Sequence, residues 1–321
     1  MKSSSELFPV TLLRADILGG LSEDIYLVKH NRDPDQSVQV ALSRLGKADQ
    51  ETEKRGAPVV LVHGSFTNRG FWLSQKGRGL ASYLVEQGMD VWMMEHRGHG
   101  QSPRNDDYEN NTAERYARYD VPAIHEFIQE QTGKSPAWLG HSLGGTVIAT
   151  AVSLQAFATP PPAFVMMGTQ VVRPNLSLQI PLAGQIARGV VRFKKELDGR
   201  QMKIGPENEP AGIINEYLAR HSLFGRWKSP STGELLLPLW KQANVPMLGI
   251  SAVADTTDPA KYCQRFYRMY GGPKEELLLG KSTGFSKDFS HVDMVVSPEA
   301  EADVWPRISQ WLSAYGHKAL C

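Results

Sequence analysis

Apolar and polar residues alternate along this chain in three distinct ways. Short β-rich runs at 10–13, 25–29 and 38–42, separated by Gly19-Gly20 and by Asn31-Arg32-Asp33-Pro34-Asp35, predict antiparallel strands joined by turns. Residues 46–57 are polar and predict a solvated loop. From Pro58 the runs become continuously apolar, at 59–62, 90–94, 137–139, 163–167 and 245–250, with a last strand at 276–279. An unbroken apolar run marks a parallel strand covered on both faces. Between these runs, helical spacing is predicted over 70–87 (Leu80, Tyr83, Leu84), 112–131, 146–157, 259–270 and 298–315. Strand and helix alternating through short loops predict an α/β fold with a mostly parallel, doubly wound sheet.

The alternation stops over residues 169–244, which carry Pro174, Pro181, Pro206, Pro210, Pro230 and Pro238 and several short helical patterns. A connection of that length carries structure of its own. The expected organisation is a core of 1–168 and 245–321, with a mainly helical cap at 169–244 inserted after the sixth strand of the main sheet. Within the cap, 178–193 places Leu178, Leu182, Ile186 and Val190 near one helical face, with Arg188, Arg192, Lys194 and Lys195 beside or after them. Such a segment is either an amphipathic lid or a helix packing its apolar side onto the body.

Charge narrows the class. Lys and Arg number 35 against 34 Asp and Glu, a net charge of +1, which offers no general attraction to nucleic acid or anionic lipid. Two cysteines, Cys263 and Cys321, are too few for a disulfide framework. No segment reaches the roughly 18–20 apolar residues of a membrane span, and the amino terminus has no signal-peptide core, so the expected location is the cytoplasm. No metal-ligand spacing or dinucleotide fingerprint is visible, so no cofactor is expected.

The chemistry centres on Gly140-His141-Ser142-Leu143-Gly144, between a predicted strand and a predicted helix. In a Gly-x-Ser-x-Gly elbow the serine sits on a strained turn above the sheet edge. A serine hydroxyl is a poor nucleophile at neutral pH and needs a base, which in turn needs an orienting acid. In a parallel sheet these groups meet beyond the carboxyl ends of the strands. His291 meets that requirement, in the loop between the last strand and the closing helix. Asp255 meets it as the acid, ahead of Asp258, which precedes Pro259 and is a natural helix cap. The oxyanion donors expected are the backbone N–H groups of Leu143 and of Ser65, in the turn after the third strand. His63 and His141 flank glycines and shape the two turns. Phe66, Phe71 and Trp72, together with His141, are candidates for the substrate pocket, the three aromatics having core packing as the alternative.

Taken together, His63-Gly64-Ser65-Phe66, Glu95-His96-Arg97-Gly98-His99-Gly100-Gln101-Ser102, the elbow, Asp255 and Phe289-Ser290-His291-Val292-Asp293 resemble the α/β-hydrolase superfamily in kind and order. Phe71-Trp72-Leu73, Asp90-Val91-Trp92 and the Tyr119–Ile128 stretch resemble acid lipases and related esterases. That family usually carries Gln where this chain has Leu143, a secretory leader and a longer cap, and the Arg97–Ser102 turn is more like that of bacterial esterases and monoacylglycerol lipases. The resemblance implies a serine carboxylester hydrolase working through an acyl-enzyme on a small ester with an apolar acyl group. Acyl transfer, peptide or carbon–carbon bond cleavage, and non-catalytic binding on the same fold are the alternatives.

Overall fold

A computed structural model describes residues 3–49, 55–174, 183–222 and 225–315. The middle of the expected polar loop, the predicted face positions Leu178 and Leu182, and Cys321 lie outside the described residues. Among these residues nine strands form one sheet: β1 (Val10–Leu18), β2 (Leu21–Val28), β3 (Val40–Lys47), β4 (Pro58–Val62), β5 (Asp90–Met94), β6 (Ala137–His141), β7 (Phe164–Met167), β10 (Met247–Ala252) and β11 (Lys274–Leu279). The strands β8 (Glu196–Leu197) and β9 (Glu209–Pro210) pair separately. The order across the sheet is β1-β2-β3-β5-β4-β6-β7-β10-β11. Its first three strands are antiparallel, β3 meets β5 antiparallel, and every later pair is parallel.

The period of two along each buried strand divides the core between the faces of the sheet. Val60 and Val62 of β4 pack with Trp92, Trp138 and Phe164 against the helices Val121–Thr132 and Leu143–Ser153. Val59 and Leu61 face the other way, with Val91, Met93 and Leu139, against the helices Leu80–Glu86 and Trp305–Tyr315. Both faces being covered is why these strands read as unbroken apolar runs.

Several expectations are corrected. All three runs before Pro58 join the main sheet, so the Ser65 turn follows the fourth strand and residue 168 follows the seventh. Helix does not fill 70–87: a 3-10 turn at Arg69–Phe71 and the helix Leu80–Glu86 flank Gly77 and Gly79, both at positive φ (72° and 159°). The predicted 112–131 helix contains a π-helical turn, Tyr116–Asp120, just before Val121-Pro122, where proline supplies no backbone donor. Between β7 and β10 lie the helices Ala183–Lys194, Ala211–His221 and Leu236–Trp240 and the β8–β9 ribbon. On the first of these, Val191 is buried, whereas Ile186, Val190 and Phe193 are exposed, Phe193 at 91%. No helix among the described residues is long and apolar enough to cross a membrane.

Candidate active site

Ser142 stands between the end of β6 and the first residue of the helix Leu143–Ser153, with φ 52° and ψ −114°. A non-glycine residue held there costs on the order of 1–3 kcal/mol and persists only where neighbours over-determine it. Here the Ser142 N–H donates to Met167 O at 2.9 Å, and its carbonyl accepts from Thr146 N at 3.0 Å and Thr169 Oγ1 at 3.2 Å. The elbow glycines have steric reasons of their own. A Cβ on Gly140 would lie 2.5 Å from Gly144 C, and one on Gly144 would lie 2.2 Å from Val62 O. The helix thus starts in direct contact with the end of β4, and its first N–H, that of Leu143, has no partner one turn earlier to bond.

The turn after β4 is seated on this elbow. A Cβ on Gly64 would come within 3.0 Å of His141 Nδ1 and 3.2 Å of Ser142 Cβ, so Ser65 follows a residue touching the serine. His63 is buried, donates from Nδ1 to Gly64 O at 2.8 Å and accepts the His96 N–H at Nε2, 3.1 Å away. One donor and one acceptor describe a neutral imidazole. Its pKa is pushed well below the ordinary histidine value by burial and by the neighbouring His96 and His99.

Two further strand ends meet at the same edge. The loop after β10 holds Asp255, and the loop after β11 holds His291; Ala254 N donates to Phe289 O at 3.0 Å, tying the loops together. Asp255 is 3% exposed. Its Oδ2 accepts from His291 Nδ1 at 2.7 Å, and its Oδ1 accepts from Asp258 N at 2.8 Å. Burial works to lower the pKa of His291, but the Asp255 hydrogen bond and the charges of Asp255 and Asp258 outweigh it, and the net shift is upward. Among the described residues the Asp258 carboxylate makes no hydrogen bond to the imidazole or to the helix end. Its carboxylate accepts from Gln170 Nε2 at 2.8 Å, and the helix Ala260–Arg268 starts at Pro259 without a side-chain cap, so the expected capping role is not realised.

His291 and Ser142 are neighbours across β7. A Cβ on Gly168 would lie 3.0 Å from His291 Nδ1, one residue past the carbonyl that holds Ser142. His141 Nε2 donates to His291 O at 2.9 Å, and the two rings lie 4.5 Å apart. No hydrogen bond joins Ser142 Oγ to the imidazole of His291 among the described residues.

The remaining candidates separate. Phe71, half-buried, places its ring 4.7 Å from that of His141. Trp72 is fully buried in the core. Phe66, at φ 60°, packs against Gly199 and Gly205 from the segment after β7. Sequence reasoning passed over Glu207, Glu209, Thr169 and Gln170, which bond around the serine and acid loops. Glu209 lies in the two-residue strand β9 and the others in irregular segments, with no period and no motif to mark them. A cavity of about 1300 Å³ is lined by Arg188, Arg192, Glu216, Arg220 and Trp227 among others, and not by Ser142, Asp255 or His291. Among the described residues no group of three or more His, Cys, Asp or Glu side chains is placed to hold a metal ion.

Comparison with known proteins places this arrangement. The sequence pattern of the alpha/beta hydrolase fold matches residues 57–193. Human gastric triacylglycerol lipase is 31% identical over 150 residues, covering 44% of this chain and 34% of the lipase. Mouse lipase member N is 32% identical over 133 residues, 38% of this chain and 32% of that protein. The chain therefore matches about a third of the length of these relatives. In three dimensions it is similar to a thermophilic esterase from Thermogutta terrifontis, with a TM-score of 0.60, 17% identity, and coverage of 89% of this chain and 97% of the other. It is also similar to a monoacylglycerol lipase from Paleococcus ferrophilus, with a TM-score of 0.57, 18% identity, and coverage of 86% and 99%. With the strand order, the elbow and these matches agreeing, the chain has the α/β-hydrolase fold, and its residues 57–193 are similar in sequence to that family.

Proposed function

We propose that the protein is a serine carboxylester hydrolase that cleaves apolar acyl esters through an acyl-enzyme. The observation that carries this reading is the convergence of a strained Ser142 with a His291–Asp255 pair, 2.7 Å apart, from loops after three different strands. Ser142 Oγ attacks the ester carbonyl carbon while His291 Nε2 takes its proton. Asp255 holds Nδ1–H and favours the imidazolium that forms. The carbonyl π electrons move onto oxygen, and the N–H groups of Ser65 and Leu143 receive that charge. Collapse expels the alcohol, which leaves with the proton from His291; water then repeats the sequence on the acyl-serine and releases the acid.

An apolar acyl group is supported by the lipases among the relatives and by Phe71, half-buried against His141. The segment between β7 and β10 acts in this reading as the cap over the site, supported by its contacts with the Ser65–Phe66 turn. Ser142→Ala, with an unchanged circular dichroism spectrum, should abolish both p-nitrophenyl butyrate turnover and labelling by a fluorophosphonate. Retained turnover would remove Ser142 from the chemistry and overturn the assignment.

A further inference from the structure

The residue after Ser65 is held from outside the core. Phe66 sits in the left-handed region and bonds on both sides to the segment between β7 and β10. Its N–H donates to Glu209 Oε1 at 2.8 Å, and its carbonyl accepts from Glu207 N at 3.0 Å. Gly205 packs so tightly on it that a Cβ there would stand 2.1 Å from Phe66 O. Glu209 is presented by the β8–β9 ribbon, so its approach is fixed by paired backbone.

Glu209 is fully buried, and so is its second partner, His99. His99 Nε2 lies 3.1 Å from Glu209 Oε1, and His99 Nδ1 lies 3.0 Å from Arg97 O. Both of these are acceptors, so His99 donates from both nitrogens and faces the carboxylate as an imidazolium. Glu209 Oε2 is buried with no partner among the described residues. For packing alone this is a poor arrangement, because a buried ion pair is commonly no more stabilising than apolar residues of the same volume. What the pair does that an apolar residue does not is accept one particular N–H, one residue from the backbone donor assigned to the oxyanion.

We propose that Glu209, braced by His99, is a positioning residue for the oxyanion turn: its carboxylate sets the Phe66 peptide and, through it, the direction of the Ser65 N–H. The inference rests on the proposed function and adds a coupling to it. The segment between β7 and β10 then supports transition-state stabilisation, and a displacement of that ribbon would misdirect the donor. Because the ground-state carbonyl depends on this donor less than the tetrahedral oxyanion does, the effect belongs in kcat.

The test uses the full chain, p-nitrophenyl butyrate as substrate and phenylboronic acid as the tetrahedral probe, with folding checked by thermal melts. Glu209→Ala should lower kcat about 10- to 100-fold, the scale of a misplaced catalytic group, with KM changed less than about threefold. Phenylboronate affinity should fall in parallel. Glu209→Gln, whose carbonyl oxygen can take the place of Oε1 and accept both the Phe66 N–H and the His99 Nε2–H, should recover kcat to within about threefold of wild type. Glu209→Asp, a methylene shorter, should remain impaired. If Glu209→Ala does not fold, the Gln and Asp variants decide: recovery by Gln alone supports the role, and equal behaviour overturns it. A folded Glu209→Ala with wild-type kcat, or with a loss confined to KM, also overturns it. Ser142→Ala separates the two readings. If it stays active the proposed function fails; if it is inactive while Glu209→Ala is unimpaired, only the positioning role fails.

Discussion

At the scale of single residues, the division of labour between Asp255 and Asp258 is the sharpest structural statement. Both carboxylates raise the pKa of His291 against the lowering effect of its burial, but only Asp255 makes a hydrogen bond to the ring. A histidine acting as a base must be neutral in the free enzyme, so the acid limb of kcat/KM should lie above the ordinary imidazole value of about 6.5. Asp255→Asn should bring that limb down and cut kcat by about 10³- to 10⁴-fold, because the imidazole loses its orientation as well as its counter-charge. Asp258→Asn removes a charge at a distance, so the limb should move less and kcat should stay within about tenfold of wild type. pH–rate profiles of the two variants check this, and a larger loss in Asp258→Asn would transfer the orienting role. Ser142, Asp255 and His291 were legible because each lies in a loop directly following an apolar strand run, so chain position alone assigns it to one sheet edge. Glu209 and Gln170 were not legible. Their partners Phe66 and Asp258 are 143 and 88 residues away, and local spacing carries no record of such contacts.

At the scale of elements, the glycines show which close approaches the fold requires. Gly144 brings the elbow helix against the end of β4, where an added Cβ would meet Val62 O at 2.2 Å and His63 O at 2.7 Å, both backbone atoms with little freedom to yield. Gly144→Ala should therefore separate helix from strand, abolish turnover and lower the melting temperature by several degrees, or prevent folding. Gly189, in the middle of the helix Ala183–Lys194, has open space where a Cβ would go. Gly189→Ala should stabilise that helix by about 0.5–1 kcal/mol while leaving kcat unchanged. Thermal unfolding with activity assays checks both, and an active, fully stable Gly144→Ala would refute the close-approach argument. The sequence over-extended one helix, at 70–87, and in the 112–131 helix it did not mark the π-helical turn. Residues 74–79 carry no apolar side chain, and Gly77 and Gly79 at positive φ break the backbone there, whereas apolar spacing continues across Tyr116–Asp120, where periodicity does not separate a π turn from an α turn.

At the scale of the whole molecule, the turn after β5 is bound to distant parts of the chain by a buried charge network. Arg97 donates from Nε to Asp120 Oδ2 at 2.9 Å and from Nη1 to Asp33 Oδ2 at 2.8 Å, and His30 Nε2 donates to Asp120 Oδ1 at 3.0 Å. The network joins the β2–β3 loop, the β5 turn and the start of the helix Val121–Thr132. Burial would raise the pKa of Asp120, but the Arg97 charge and the bonds from His30 and Arg97 hold it below the ordinary carboxyl range. The sign follows directly. A depressed carboxyl contributes stability that is present above its unfolded pKa of about 3.9 and lost as pH falls through the folded value. Asp120→Ala should cost about 3–5 kcal/mol near neutral pH, because Arg97 keeps only part of its compensation. The variant should also show a shallower loss of stability than wild type below about pH 4. Denaturant titrations at a series of pH values measure both.

Fold class, the order of the strand runs along the chain, and Ser142, His291 and the Asp255–Asp258 loop as candidates for one sheet edge were readable from the sequence alone. Hydrophobic periodicity and turn chemistry are local, and a doubly wound sheet converts order along the chain into position along one edge. The tertiary structure decided the rest: nine strands in the sheet, the placement of Trp72 in the core, the choice of Asp255 over Asp258 as the imidazole's partner, and the grip of Glu209 on the turn beside Ser65. Each of these depends on which atoms come within hydrogen-bond or van der Waals distance after long stretches of chain have folded back. Only packing determines those distances.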